Sequence, residues 1–325
     1  MKIAIIGGSI TEGAGASKYK NSYVYKFEQY FNEKYKHSVI KNLGAGGTAS
    51  QFGLFRLKRD LNDFKPDLIF IEFAVNDRIY SVDDIGIYFE GLIRECCKIT
   101  NKIIIIDFPT GMADSYTSIH KKFAYFYNIP VIDVQDEIFK IIGNQEITWS
   151  KISIDNLHPN DIGHNIYFKI IKDNVEKINL EELDVKLNNK VLSKYNFRNP
   201  KIKSYEECTF YGHWEEKEVS LNNKFKFGAK TNTIGDCMEV NFKGNYLAMM
   251  CILSNKSGIL ECILDDKFTF TLDLYMDNDA CFSTLINLKD IGNGEHSLLI
   301  KLSQNKNEKS LGNEVIIGGF LVDED

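Results

Sequence analysis

The run of four isoleucines at positions 103 to 106 constrains the fold of this chain more than any other feature. A strand that is apolar on both faces has to be covered on both faces, as in a parallel sheet with helices on either side. Similar apolar runs recur up to residue 180, separated by segments with the periodicity of amphipathic helices. Strands are predicted at residues 2–6, 38–42, 67–73, 102–107 and 130–133, and helices at 23–35, 51–61, 83–98, 117–127 and 161–178.

Strands that alternate with helices form βαβ units with right-handed crossovers. Residues 1–180 are therefore predicted to be an α/β domain with a three-layer, doubly wound, flavodoxin-like parallel sheet. In such a sheet a ligand binds at the carboxyl ends of the strands. Polar residues directly after a predicted strand are for this reason the first candidates for a functional site.

The pattern changes after residue 180. Residues 181–206 are polar and rich in Lys and Asn, which is typical of a linker or of a segment that wraps over a domain. Residues 207–325 contain short alternating runs separated by turn pairs such as Asp265-Asp266, without a helical pattern. They are predicted to form a second domain, an all-β, jelly-roll-like sandwich. Its strands are predicted at 224–227, 237–242, 246–253, 259–264, 268–274, 283–288, 296–302 and 314–322.

Composition argues against several classes of partner. The net charge of −6, with lysines interspersed among acids, lacks the basic stripe that nucleic acid requires. No stretch approaches the roughly 20 apolar residues of a membrane helix. The first apolar run is too short for a signal peptide, and the seven cysteines have no regular spacing, so reduced thiols and a cytoplasmic location are expected. The oligomeric state is left open.

Two glycine-containing turns follow the first two predicted strands. Gly7-Gly8-Ser9 puts a serine on a tight strand-to-helix turn, although a serine that only caps a helix explains this motif equally well. Residues 42–48 contain three glycines in four residues, which suggests that the backbone approaches a ligand. This second turn has neither the Gly-Lys-Ser/Thr of a P-loop nor the spacing of a dinucleotide fingerprint.

The first domain contains two further polar motifs. Asn76-Asp77 follows the third strand, where a structural turn and a functional role are equally good explanations. Asp155 and His158 lie three residues apart, just before the last helix of the first domain, which Asn160 or Asp161 can cap. An isolated His is usually structural, but one that is paired with an acid at the same sheet edge as a serine on a turn is better explained as a base.

In this order and spacing the four motifs resemble those of the SGNH, or GDSL-type, hydrolases, over residues 1 to 178. The resemblance implies a serine esterase in which Ser9 is the nucleophile, His158 the base and Asp155 the acid that orients it. It implies an oxyanion hole made by the N–H of Ser9, the N–H of Gly47 and the side-chain amide of Asn76. Gly47 is chosen by its distance from Asn42, with Gly46 as the nearest alternative.

The chain departs from the family pattern at two positions. Gly8 stands where the family usually has Asp, and Ala74 stands where the third motif usually has Gly. Neither position supplies the attacking oxygen or the oxyanion amide, so the departures bear on hydrogen bonding around the turn and on the subfamily. The Gly-Gly-Ser-Ile-Thr form resembles a branch associated with polysaccharide modification.

The predicted substrate is a small acyl ester, notably an acetyl ester, of a carbohydrate. Residues 235–244 and 294–298 of the second domain resemble, more loosely, the β-sandwich of carbohydrate esterase family 2 acetylesterases, in which the sandwich precedes the catalytic part. Trp149 is a candidate wall of the acyl pocket, and Trp214 and Tyr211 are candidates for stacking on a sugar; packing explains each of them equally well.

Two alternatives stay open. The same triad can transfer its acyl group to a sugar hydroxyl, and a flavodoxin-like protein without catalytic activity can hold a phosphate or nucleotide at the 7–11 turn. No cofactor is predicted. No metal is predicted either, because the sequence lacks His-Glu-x-x-His and any other clustered set of His ligands.

Overall fold

The computed structural model describes residues 1–111, 116–219, 221 and 223–324, and the chain divides into two compact units. The first unit is Met1–Asn196 and the second begins at Phe197. This division falls inside the segment 181–206 that the sequence marks as a linker or wrapping segment. Among the described residues, no helix has both the length and the hydrophobicity needed to cross a membrane.

The first unit is built on a five-stranded parallel sheet with the order β2-β1-β3-β4-β5. That order is the one of flavodoxin-like sheets, and it confirms the predicted α/β fold. The strands are β1 Lys2–Gly7, β2 Val39–Gly44, β3 Leu68–Glu72, β4 Ile103–Asp107 and β5 Val131–Asp133. The helices are α1 Ser9–Glu12, α2 Tyr23–Lys34, α3 Ser50–Leu61, α4 Ala74–Asp77, α5 Val82–Cys97, α6 Thr117–Tyr127, α7 Val134–Gly143, α8 Trp149–Ile152 and α9 Asp161–Val175, with a 3₁₀ turn at Tyr19–Asn21.

The isoleucine run forms β4, and all four side chains are fully buried. Ile104 and Ile106 join a core with residues of α2, α7 and α9. Because side chains alternate along a strand, Ile103 and Ile105 point to the opposite face. There α3 packs on α5, and α5 on α6. Burial on both faces is what the sequence pattern requires of a central strand.

Helix α7 lies where no helix was predicted. It begins directly after β5, and the Asp133 side chain at the end of that strand accepts a hydrogen bond from the N–H of Asp136 at 2.9 Å. One residue therefore both ends a strand and caps a helix, so no turn separates the two elements. Before α9 the cap is Asn160, whose side chain accepts from the N–H groups of Ile162 and Gly163.

Part of the polar segment after α9 packs on the first unit. The Glu90 carboxylate, buried in α5, accepts hydrogen bonds from the N–H groups of Leu192 and Ser193 at 2.8 and 2.7 Å. Arg94, one turn further along α5, donates to the carbonyl of Asn188 at 2.7 Å. The backbone at residues 188, 192 and 193 is therefore hydrogen-bonded to side chains of α5. Residues 200–204, further along, form a strand of the second unit.

The second unit contains two antiparallel sheets, in keeping with the predicted all-β sandwich. One has the order β13-β12-β15-β10-β7, the other the order β14-β11-β16-β9-β8, with β6 also paired to β16. The strands are β6 Pro200–Ser204, β7 Thr209–Tyr211, β8 Glu215–Glu218, β9 Phe227–Thr231, β10 Cys237–Lys243, β11 Tyr246–Leu253, β12 Ile259–Leu264, β13 Phe268–Asp273, β14 Cys281–Lys289, β15 Glu295–Leu302 and β16 Val315–Asp323, and Tyr205–Glu207 is a 3₁₀ turn. Met238, Val240 and Phe242 alternate into the shared core.

The position predicted for the first strand of the second domain, 224–227, is wrong. The structure has β9 at Phe227–Thr231, so only its first residue overlaps the prediction. Strands β6, β7 and β8 were not predicted at all. Glu215–Glu218 is exposed along its whole length and consists of charged residues, so it lacks the alternation of apolar side chains by which a half-buried strand is recognised.

Gly44, the last residue of β2, lets that strand contact α1 directly. A Cβ at residue 44 would lie 2.1 Å from the backbone nitrogen of Glu12. Asn42 links the same two elements, since its amide donates to the carbonyl of Thr11 at 2.9 Å and its oxygen accepts from the N–H of Gly44 at 2.8 Å. The end of β2 is thereby held against the helix that begins with Ser9.

We expect Gly44→Ala to lower the free energy of unfolding of the first unit by about 1–3 kcal/mol or more, because main chain cannot move aside as a flexible side chain can. Gly143→Ala is the matched control: it lies at the end of α7, where an added Cβ meets nothing within 4 Å. This control should be neutral or stabilise by up to about 1 kcal/mol. Urea unfolding followed by circular dichroism measures both, and equal stability of Gly44→Ala and wild type would contradict the packing described.

Candidate active site

The turn after β1 is tightly packed at two glycine positions. A Cβ on Gly7 would lie 2.4 Å from Thr11 Oγ1, and one on Gly8 would lie 2.3 Å from Asn76 Oδ1. Without side chains at these positions, the turn and the segment after β3 can meet. Ser9 follows as the first residue of α1, so the structure brings the predicted nucleophile beside the predicted amide.

Ser9, His158 and Asp155 form one continuous series of hydrogen bonds. Ser9 Oγ lies 2.9 Å from His158 Nε2, and His158 Nδ1 lies 2.8 Å from Asp155 Oδ2. Because a carboxylate only accepts, Nδ1 carries the proton that it shares with Asp155. The neutral ring then has its lone pair at Nε2, directed at the Ser9 hydroxyl. This arrangement can withdraw a proton from that hydroxyl.

The loop that carries Asp155 and His158 holds itself together. Asp155 Oδ1 accepts hydrogen bonds from the N–H groups of Leu157 and His158 at 2.6 and 2.7 Å, and the hydroxyl of Ser153 donates to the His158 carbonyl at 2.7 Å. Ser153 and Pro159 also form an isolated β-bridge. Partial burial acts to raise the pKa of Asp155, but the hydrogen bonds from His158 and Leu157 outweigh it and hold that pKa below its usual value.

The glycine-rich turn after β2 passes beside Ser9. A Cβ on Gly46 would lie 3.6 Å from Ser9 Cβ. The N–H of Gly46 donates to the Glu12 carboxylate at 2.9 Å, so it is not available to a ligand. Gly47 has φ +66°, a conformation that favours glycine, and its N–H meets no hydrogen-bond acceptor in the described part of the chain. Of the two glycines considered for this position, Gly47 has the free N–H.

Asn76 lies in α4, the short helix after β3. Its Oδ1 is buried without a hydrogen-bond partner, and its NH₂ makes no hydrogen bond to any described residue. An unpaired buried polar atom is costly, so such a group is usually retained for a reason other than stability. Ala74, which stands where the resembling family has Gly, is fully buried two residues earlier and does not displace the amide.

Trp149 lies against the loop of the acid and base. Its Nε1 donates to the Asp155 carbonyl at 3.0 Å, and a Cβ on Gly111 would lie 2.4 Å from the same atom. The indole is partly buried against the core of the first unit. A role as a wall of the acyl pocket stays a prediction.

Trp214 and Tyr211 lie in the second unit. Trp214 lines a surface cavity of about 420 Å³ together with His213, Lys230 and Thr231, and its ring is 5.6 Å from that of Phe210. It also packs against the sandwich core, and its Nε1 is buried without a partner. Tyr211 is half-exposed and donates to Glu239 at 3.1 Å. Stacking of either residue on a sugar stays a prediction.

Sequence reasoning missed Glu72, a buried carboxylate at the end of β3. Its Oε2 accepts from the Thr11 hydroxyl at 2.7 Å and from the N–H of Gly8 at 3.3 Å. Burial raises the pKa of Glu72 to about 8, although both hydrogen bonds act to lower it. In this chain the carboxyl group that supports the turn after β1 therefore comes from β3. The resembling family instead has an Asp within the turn itself. The one sequence signal is a charged residue that ends an otherwise apolar run.

His120 of α6 was also missed, and it lies between two buried acids. Its Nε2 is 2.9 Å from Asp77 Oδ2, and its Nδ1 is 3.3 Å from Asp107 Oδ1, close enough for charge attraction although the geometry is not that of a hydrogen bond. The ring stacks on Phe89 at 3.6 Å. Burial acts to lower the pKa of His120, but the carboxylates of Asp107 and Asp77 outweigh it and raise that pKa to about 9. No cluster of His, Cys, Asp or Glu suited to a metal ion occurs among the described residues.

The raised pKa values of Glu72 and His120 predict how stability depends on pH. The folded chain holds a proton on Glu72 up to pH about 8 and on His120 up to pH about 9, whereas the unfolded chain releases them near 4.5 and 6.5. Because the folded state binds more protons in this window, its stability falls as pH rises, by up to about 1.4 kcal/mol per pH unit for each extra proton. We expect the melting temperature of the first unit to fall between pH 6.5 and 8.5.

Glu72→Gln, which keeps the size of the side chain, should reduce this slope. Asp136→Asn is the control, because Asp136 is exposed and its pKa is lowered by Lys140, so it is ionised throughout the window. Circular dichroism melts at several pH values measure the effect. A melting temperature that is constant across the window in the wild type would show that the proton uptake assigned to Glu72 and His120 is wrong.

Comparison with known proteins agrees with this fold and with the sequence motifs. The model of the GDSL-like lipase/acylhydrolase family matches residues 5–166. No curated protein matches the chain. A solved two-domain esterase active on acetylated mannans, co-crystallised with mannopentaose, is similar in structure, with 24% sequence identity and a TM-score of 0.84. The match covers 100% of this chain and 91% of the chain of that esterase.

An acetyl xylan esterase is also similar, covering 54% of this chain and 100% of its own at 19% identity and a TM-score of 0.47. The two-domain likeness extends over both units and shows their fold. The family match covers Ser9, Asn76 and His158. Residues 5–166 therefore form a domain of the GDSL-like lipase/acylhydrolase family, and the protein is a carboxylic ester hydrolase.

Proposed function

We propose that this protein removes acetyl groups from a carbohydrate, with Ser9 as the nucleophile. The observation that carries the proposal is the unbroken series from Ser9 Oγ through His158 to Asp155, at 2.9 and 2.8 Å, next to free N–H donors. A nucleophile, a base in hydrogen-bond reach and a group that orients the base are the three parts that acyl transfer through a serine requires.

In the first step Ser9 Oγ attacks the ester carbonyl while His158 Nε2 takes the hydroxyl proton. The imidazolium that forms is stabilised by Asp155, which keeps its own charge. The tetrahedral intermediate then collapses, the C–O bond to the sugar breaks, and His158 returns the proton to the departing alkoxide. The products of this step are the free sugar hydroxyl and an acetyl group on Ser9.

The second step repeats the first with water as the nucleophile. Water attacks the acetyl carbonyl, its proton passes to His158, and the Ser9 oxygen leaves and recovers a proton from the same ring. Acetate is released and the chain returns to its starting form. Nothing in the described residues favours a sugar hydroxyl over water as acceptor. A role confined to nucleotide binding would leave the Ser9–His158–Asp155 series without a purpose.

Three donors are available for the negative charge that develops on the carbonyl oxygen. These are the N–H of Ser9, the N–H of Gly47 and the side-chain amide of Asn76, none of which donates to another described residue. The Gly46 N–H is unsuited because it is bonded to Glu12. Each donor that strengthens its bond in the transition state contributes about 3–4 kcal/mol to catalysis.

The choice of an acetylated carbohydrate rests on the second unit and on the structural likeness. The similar solved esterase has both units and acts on acetylated mannans. The seven cysteines are all free, which fits a reducing compartment, and we propose a cytoplasmic location in which small acetylated oligosaccharides are the substrate.

Ser9→Ala should lower kcat for p-nitrophenyl acetate by about 10⁴-fold or more, since the acyl acceptor is removed. Its melting temperature should stay close to that of the wild type, because only one oxygen is lost. Ser118→Ala, at an exposed position of α6, is the control and should keep full activity. An unchanged rate in Ser9→Ala would remove the basis of the mechanism.

The substrate class is tested with acetylated manno- and xylo-oligosaccharides, together with p-nitrophenyl acetate and butyrate. We expect acetate release from at least one oligosaccharide with a kcat/KM above that for p-nitrophenyl acetate, because binding of the sugar contributes to the transition state. The butyrate ester should react more slowly than the acetate. Rapid hydrolysis of longer acyl chains, with no acetate from any sugar, would refute the carbohydrate proposal while leaving the triad intact.

A further inference from the structure

The buried carboxylate of Asp77 connects the two segments that carry the oxyanion donors. Asp77 directly follows Asn76 in α4. Its Oδ1 accepts the N–H of Ser50 at 2.8 Å, and Ser50 begins α3 three residues after Gly47. One side chain therefore links the segment of Asn76 to that of Gly47.

The other oxygen of Asp77 is fixed by His120. Asp77 Oδ2 lies 2.9 Å from Nε2 of His120, and both side chains are completely buried. The ring cannot turn freely, because it stacks on Phe89 at an interplanar angle of 12° and its Nδ1 faces Asp107. The position of Asp77 is therefore set from β4, α5 and α6, three elements that contribute no proposed donor to the site itself.

An oxyanion hole assembled from two segments needs a fixed distance between them. Donors stabilise the transition state only where they reach the oxygen at hydrogen-bond distance, and a displacement of about 1 Å can cost about 100-fold in rate. The backbone N–H of Gly47 and the side-chain NH₂ of Asn76 make no hydrogen bond to a described residue that would hold them in place. The contact through Ser50 and Asp77 supplies such a link.

We propose that Asp77 and His120 are positioning residues that set the spacing of the Gly47 and Asn76 donors. Neither touches the substrate; they act through the segments to which they are bonded. This inference rests on the proposed function, because it assigns the pair a purpose in the same oxyanion hole. It also gives the buried His120, which the triad does not use, a part in the reaction.

The test compares Asp77→Asn and His120→Gln with Glu90→Gln. Glu90 is a matched control, since it is a buried carboxylate of the same unit that accepts from Tyr127 and from two N–H groups far from Ser9 in the chain. For each variant kcat and KM are measured with p-nitrophenyl acetate below its melting temperature. The inhibition constant of methylboronic acid is measured as well. Boronic acids bond to a serine oxygen as tetrahedral adducts, and such transition-state analogues report on the oxyanion donors.

We expect both variants of the pair to lower kcat by about 10- to 100-fold with KM changed by less than about threefold. The inhibition constant should rise by a similar factor. Irreversible loss of folded molecules lowers kcat and leaves the inhibition constant unchanged, whereas reversible unfolding raises KM and the inhibition constant by the same factor. A lower kcat with a raised inhibition constant and a nearly unchanged KM therefore distinguishes misplaced donors from both. Glu90→Gln should lower the melting temperature and leave kcat and inhibition as in the wild type.

Wild-type kcat and inhibition in both variants would overturn the inference while the proposed function stands. An equal loss of kcat in Glu90→Gln would overturn it too, since any buried substitution would then have the same effect. If His120→Gln does not fold, Asp77→Asn, which keeps the shape of the side chain, decides the question alone. Activity that persists in Ser9→Ala would instead refute the proposed function, and the inference with it.

Discussion

The contact between the turn after β1 and the segment after β3 is the constraint on which the site depends. An added Cβ on Gly8 would lie 2.3 Å from Asn76 Oδ1, so the turn that carries the proposed nucleophile lies directly against the amide. Glu72 reinforces the contact from the same strand end by bonding to Thr11 and Gly8. The sheet order puts β3 next to β1, and this adjacency makes the contact possible.

Buried polar side chains near the carboxyl ends of β3 and β4 lower the free energy of unfolding of the first unit. The first unit buries Glu72, Asp77, Asp107 and His120 completely, and taking polar or charged groups out of water is expensive even when they are paired. Asn76 leaves a buried oxygen unpaired. Apolar side chains would pack the same space at less cost. This chain instead has polar side chains near Ser9, in a sheet whose strands otherwise consist mainly of isoleucine and other apolar residues.

Much of the fold could be predicted from the sequence, because buried parallel strands and amphipathic helices have distinct periods. The exceptions have physical reasons: α7 begins without a turn after β5, and β8 is a charged, exposed strand at a sheet edge. The motifs with Ser9 and His158 were recognisable because each is contiguous. Glu72 and His120 were not, since their partners are distant in sequence: Glu72 lies 61 residues from Thr11, and His120 lies 43 residues from Asp77.

The loop that holds Asp155 and His158 has a consequence for the order in which the chain becomes active. Its hydrogen bonds are local, whereas the contact from Ser9 to His158 spans 149 residues. A chain emerging from the ribosome presents Ser9 and both segments of the proposed oxyanion hole long before His158, the proposed base, has been synthesised. In the proposed mechanism the nascent chain therefore remains inactive until the loop before the last helix of its first unit has been synthesised and docked.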